Sequence, residues 1–234
     1  RIVKIIDINM IWDDEGYLIS KTKYNENSII AEFFTKNHGK TSGMIFGATS
    51  KKIKSYIMIG NYFNITFNSK NENKSGYFKI EISKINTPHF FDQKIKLSSI
   101  LYAMNLIKIL TAENQSNIKI FTLINDFYKI LNNENWVKDF ILWELNILKN
   151  LGYDLNFKNY AICTKINGID QFVVKTDNKR IIPNFLINKD LNPKNKDELV
   201  ISLKLVGDFL EKTILRPNNI NTPLSRSNFL NLLV

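Results

Sequence analysis

Residues 33–71 read FFTKNHGKTSGMIFGATSKKIKSYIMIGNYFNITFNSKN. These 39 residues hold six lysines (Lys36, Lys40, Lys51, Lys52, Lys54, Lys70), one of the chain's two histidines, His38, and no Asp or Glu. Gly39, Gly43, Gly47 and Gly60 fall at bends between short apolar or alternating runs. Alternation sends successive side chains to opposite faces of a strand, and glycine permits the sharp corners of a small barrel. The stretch predicts a twisted antiparallel sheet with cations on its exposed positions. A surface with cations and no anions attracts a polyanion.

Outward from this window, the pattern predicts strands at 3–12, 17–24, 28–35, 40–48, 61–68 and 76–85. Polar turns are expected at 13–16, 25–27 and around Asn71, Asn73 and Gly76, and residues 49–60 read as a basic connection. Five or six short strands with glycine corners predict a small closed barrel. After Thr87-Pro88 the period changes from two to near 3.6. Helices are expected at 97–111, 117–131, 135–151 and 196–215, with a short one in SRSNFLNLL and Gly152 at a C-terminal cap. Residues 160–187 are looser, with strand-like pieces QFVVKT and RIIPNFLI. The expected fold class is α+β: a small antiparallel β-barrel over residues 1–86, then an α-helical domain over 87–234.

The net charge of +10 and pI near 9.5 favour a nucleic-acid or anionic-surface partner. Lys outnumbers Arg 28 to 4, as AT-rich codon usage produces, so the distribution of charge carries more weight than its total. No run of 18 apolar residues predicts a membrane span. The first residues alternate like a strand and soon turn acidic, which is not a signal-peptide pattern; a cytoplasmic protein is expected. Cys163 is the single cysteine, and His38 and His89 lie far from it in sequence. That excludes an internal disulfide and a multi-cysteine zinc site. In its apolar run Cys163 is expected as a buried small hydrophobe.

The candidate phosphate contacts are Lys36, His38, Lys40, Lys51, Lys52 and Lys54. Beside Gly39 in a turn, His38 equally suits a structural hydrogen bond. Lys21 and Lys23 lie two apart on one strand face and either extend the groove or are simply solvated. Phe33, Phe34, Phe46, Tyr62, Phe63, Phe67 and Tyr77 are expected mainly in the core. In the successive pairs Phe33-Phe34 and Tyr62-Phe63 one ring should point outward, where it can stack on a base. Glu144, among apolar helix positions, is expected in a buried structural pair, and 13–15 (DDE) as part of a polar turn. Neither brings the clustered acids that metal-dependent nuclease chemistry needs.

The whole chain resembles the RecO family of bacterial recombination mediators. Trp12, Asp14, Gly16 and Ser20 match its opening hairpin, and Thr35, His38, Gly39, Lys40, Gly43 and Gly47 match its T-x-x-HG-[RK]-x-x-G-x-x-x-G run. Gly60-Asn61, FILWELNILKNLGYDL (140–155) with Cys163, FLEKTI (209–214), and Pro223 with Arg226 follow in family order. The resemblance implies an N-terminal OB-fold and a helical C-terminal domain. It implies binding of single- and double-stranded DNA, strand annealing, contact with the tail of single-stranded-DNA-binding protein, and loading of RecA with RecR. It implies no catalytic activity, and a nucleoid-associated location in the cytoplasm. An RNA-binding OB protein of translation or RNA processing is the alternative reading. Two departures stand out. One cysteine cannot build the four-cysteine zinc site of many relatives, so no metal is expected. Phe46 also occupies the position before Gly47 where the family often has Arg.

Overall fold

The computed structural model describes residues 10–70, 76–166 and 168–234. The chain divides into two compact units, one ending at Phe121 and the other running from Thr122 to Val234.

The first unit is built on five strands: β1 (Met10–Lys23), β2 (Ser28–Thr35), β3 (Gly39–Phe46), β4 (Tyr62–Ser69) and β5 (Gly76–Lys84). They pair in the order β1-β2-β3-β5-β4 and close on themselves. Every pairing is antiparallel except the short parallel contact of Gly43 and Met44 with Gly76 and Tyr77. Leu18, Ala31, Phe33, Ile45, Phe63, Ile65, Phe67 and Phe78 fill the interior. Phe33 meets Phe63 and Phe78 edge-on at 5.5 and 5.0 Å, an arrangement that aromatic quadrupoles favour.

Two local expectations are corrected. Residues 13–16 do not turn: β1 runs unbroken from Met10, and residues 3–9 lie outside the described part. The acids are satisfied on the strand itself. Asp13 accepts from Thr66 Oγ1 at 2.6 Å, and Asp14 takes the backbone N–H groups of Glu15, Asn37 and His38. Residues 49–60 also hold a helix, α1 (Lys51–Tyr56), whose N-cap is Ser50. Its Ile53 and Tyr56 pack on the barrel core, so a six-residue helix survives by burial rather than by propensity. The turn around Asn71 and Asn73 lies outside the described residues.

A 3-10 turn (Thr87–Phe90) leads into α2 (Lys94–Leu110), which packs against β1 and β2. Phe34 and Tyr62, on the outer face of the sheet, are therefore buried like Phe33 and Phe63 inside it. The expected outward ring of each pair is covered: Tyr62 packs near Tyr17, and both approach Phe121.

Next come α3 (Ile118–Ile130), α4 (Trp136–Asn150), a helical turn α5 (Phe157–Tyr160), strands β6 (Ala161–Ile166), β7 (Ile169–Val174) and β8 (Asp177–Ile182), a turn α6 (Asn184–Ile187), α7 (Lys196–Leu210) and α8 (Leu224–Leu233). Gly152, at φ +92°, ends α4 while Tyr153 N–H donates to the Leu148 carbonyl at 2.9 Å, the expected C-terminal cap. The second unit is not wholly helical, because β6-β7-β8 form an antiparallel sheet in the region of the strand-like pieces. Cys163 lies on the edge strand β6 and is exposed, not buried as expected.

Candidate nucleic-acid interface

The eight candidate cations separate along the barrel axis. Lys36, His38 and Lys40 sit at the β2–β3 hairpin, and Lys51, Lys52 and Lys54 follow the far end of β3. An eight-residue strand puts these ends roughly 23 Å apart. The window free of acids in sequence is not free of them in space at the hairpin end.

Pairing of β1 with β2 sets Gly16 opposite Thr35 and so brings Asp14 and Glu15 to the hairpin. Lys36 Nζ donates to Glu15 at 2.9 Å. His38 Nδ1 lies 2.8 Å from the Asp14 carboxylate, and its ring stacks on Trp12 at 3.9 Å. Burial pushes the Asp14 carboxyl up, but hydrogen bonds from His38 and from the backbone of Glu15 and Asn37 outweigh it and hold the group below its usual range. Asp14 ionisation thus stabilises the fold above the ordinary carboxylate range, and that contribution fades as pH falls through the lowered value. Lys40 Nζ donates to the Lys108 carbonyl at 2.9 Å, and Asn114 N–H donates to the Lys40 carbonyl. Lys108 in turn is paired with Glu32. His38 and the two hairpin lysines are thus engaged in holding the hairpin.

The opposite end differs. Between Leu18 and Ser20 the β1–β2 register slips by one residue, a bulge that leaves Ile19 without a partner across the ladder. Beyond it Lys21 and Lys23 lie in register with the buried Ala31 and Ile29, so both project on the barrel's inner side, where α1 closes its end. Lys21 Nζ donates to the Ile57 carbonyl at 2.5 Å. Desolvation there, and then the like charge of Lys54, hold Lys21 below the usual lysine range. Lys23, Lys51, Lys52 and Lys54 are exposed and enter no ion pair among the described residues. Glu32, inside β2, is already paired with Lys108, and Glu26 is exposed in the 24–27 turn.

Asn61 fixes this end. Fully buried, it accepts from the N–H groups of Asn86 and Thr87 at 2.9 and 3.1 Å and donates to the Tyr56 carbonyl at 2.8 Å. Gly60 N–H and Leu18 N–H complete a reciprocal pair with the Leu18 and Asn61 carbonyls. Asn61 and Gly60 thus tie the end of α1 to the bulge of β1, and Lys54 of the one comes within electrostatic reach of Lys21 of the other. An anion placed between like-charged ammonium groups such as Lys21 and Lys54 relieves their repulsion, which is the chemistry this end can offer.

The family model for the recombination protein O N-terminal region matches residues 10–85, and that for its C-terminal region matches residues 93–214. The chain belongs to the RecO family. The DNA repair protein RecO of Wolbachia sp. subsp. Drosophila simulans is 26% identical, with 95% of this chain and 100% of that protein covered. That of Ehrlichia chaffeensis is 25% identical over 90% and 93%. That of Rickettsia bellii reaches 33% over 64% and 61%. RecO membership gives this chain a role in DNA repair and recombination.

The four-cysteine zinc site of many RecO relatives does not fit here. Cys163 stands on an exposed edge strand, and among the described residues no three His, Cys, Asp or Glu side chains gather as metal ligands. No helix among the described residues is long and apolar enough to cross a membrane. The expected outward rings of the pairs Phe33-Phe34 and Tyr62-Phe63 are buried, whereas Tyr24, after β1, is exposed and was not among the candidate rings. Among the described residues of the barrel strands, the exposed rings are Phe46 and Tyr77. Phe46 ends β3 beside Gly47, and that terminal position was the available signal.

Proposed function

We propose that this RecO-family chain is a non-catalytic DNA-binding and annealing protein acting in recombinational repair. Its closed barrel has the strand order and the β3–β4 helix of an OB-fold, and we assign it to that fold. The observation that carries the reading is the set of lysines at the α1 end, Lys21, Lys23, Lys51, Lys52 and Lys54, with Lys54 close enough to act on Lys21 and none of the five in an ion pair among the described residues. Each ammonium that settles on a phosphate releases condensed counterions. Neutralising two strands at once lowers the repulsion that opposes their meeting. Single-stranded-DNA-binding protein and RecR are the protein partners this role calls for, with RecA loaded downstream.

The test is a salt titration of binding to an oligonucleotide, with annealing of complementary strands followed in parallel. Affinity should fall linearly on a log–log plot. The double variant Lys51→Glu with Lys52→Glu should weaken binding and flatten the slope by about one per lysine. Affinity insensitive to salt, or unchanged in the double variant, would refute the assignment. Preferential displacement by RNA of matched length would favour an RNA-binding role instead.

A further inference from the structure

On β3 the outward positions are Lys40, Ser42, Met44 and Phe46. The hairpin half of this row is occupied, since the Lys40 side chain is tied to the Lys108 carbonyl and its backbone pairs with Glu113. The other half is bare. Met44 pairs with Ile30 on one side and Tyr77 on the other, so three strands present a continuous apolar row. Phe46 is 60% and Tyr77 38% exposed. Their ring centres lie 5.9 Å apart at 52°, a tilted contact in which neither ring stacks flat on the other. Tyr24, 59% exposed, closes the row, because its N–H donates to the carbonyl of Ser28, the partner of Phe46. Five residues after Phe46, past a turn closed by Ser50 N–H on the Gly47 carbonyl, α1 begins with Lys51.

Exposed apolar surface beside unpaired cations suits a ligand with flat apolar faces and a polyanionic backbone. We infer that Phe46 and Tyr77, flanked by Tyr24, form a stacking platform for the unpaired bases of single-stranded DNA, while the α1 lysines hold the adjoining phosphates. The inference rests on the DNA-binding reading and adds a preference within it. Every base has a π-face, so the platform grips any sequence, but only where bases are unpaired. Duplex DNA offers the same phosphates with its faces already stacked.

The experiment compares binding of an oligo-dT, an abasic oligomer of equal length and a duplex to the full chain and to its Phe46→Ala/Tyr77→Ala variant. Both side chains are exposed, so the variant should melt as the parent does. Parent protein should bind oligo-dT at least about fivefold more tightly than the abasic strand, the loss expected for one stacked base. The variant should lose that preference yet keep its duplex affinity and its salt slope. Equal binding of dT and abasic strands by the parent overturns the platform while leaving phosphate binding intact, and points to a protein on this face. Absence of binding to all three probes refutes the DNA-binding reading itself. Equal loss of dT and duplex affinity in the variant also overturns the platform, because it shows a role without base selectivity.

Discussion

Two glycines with the same backbone angle show what a single residue contributes. Gly39 and Gly47 bracket β3, and both have φ +68°. A Cβ on Gly39 would stand 1.9 Å from the Gln115 carbonyl oxygen, whereas nothing lies within 4 Å of one on Gly47. Gly47 is thus required only by its left-handed backbone, and Ala there should cost about 1–2 kcal/mol. Gly39 is required by that backbone and by the close approach of the loop after α2, which also supplies Asn114 N–H to Lys40 and Ser116 Oγ to the Lys36 carbonyl. Gly39→Ala should therefore lower the melting temperature of the first unit at least twice as far as Gly47→Ala. Equal shifts would mean that the loop does not press on the hairpin. Both glycines were legible in sequence as bends. What was not legible is that one of them abuts residues more than 70 positions away.

At the scale of elements, periodicity exposed most of the architecture, because a helix or strand buries one face and its sequence records which. Strands β2, β4 and β5 and helices α2, α3, α4 and α7 lie within a few residues of their expected bounds. The failures share a cause: tertiary partners decided them. Six residues of α1 are too few to show a period. Asp14 and Glu15 read as a turn until β2 and the hairpin supply their donors. Glu144 was legible as a buried pair, but not its partner. That partner is Arg226 of α8, which meets Glu144 of α4 and donates through Nη2 to the Leu203 carbonyl of α7 at 2.7 Å. Three helices meet at one guanidinium. Gly207 makes room for it, since a Cβ there would be 2.8 Å from Arg226 Nε. Removing one charge strands the other in a dry site, at a cost of about 3–5 kcal/mol. Arg226→Met and Glu144→Leu should each destabilise the second unit strongly, and the double variant should be less destabilised than the sum of the two. Chemical denaturation of all four proteins measures this coupling. Strict additivity would show that the pair carries no mutual energy.

Across the whole molecule a net charge of +10 says little, and what matters is which cations are already engaged. Lys36, His38 and Lys40 share an acid-free stretch of sequence with Lys51, Lys52 and Lys54, and composition treats them alike. The fold does not. It pairs the first group at the hairpin and leaves the second open around α1, because β1 carries its acids at 13–15 and its lysines at 21 and 23, on opposite sides of a one-residue bulge. Stability and binding should therefore separate by barrel end. Lys36→Ala with Lys40→Met removes an exposed ion pair of about 0–1 kcal/mol and a side chain bonded to a carbonyl, worth about 1.5–3 kcal/mol as a charged hydrogen bond. That variant should melt earlier yet bind oligonucleotides within about twofold of the parent, with an unchanged salt slope, if the contacts with Glu15 and the Lys108 carbonyl hold when DNA binds. Lys51→Ala with Lys54→Ala should do the reverse: leave the melt nearly untouched, because neither side chain packs on the core, and reduce the slope by about two. Melting curves and salt titrations on the same two preparations decide the matter. Were the hairpin variant to lose binding as steeply as the α1 variant, DNA would have to break the Glu15 and Lys108 contacts to reach those lysines, and the interface would span the full length of β3.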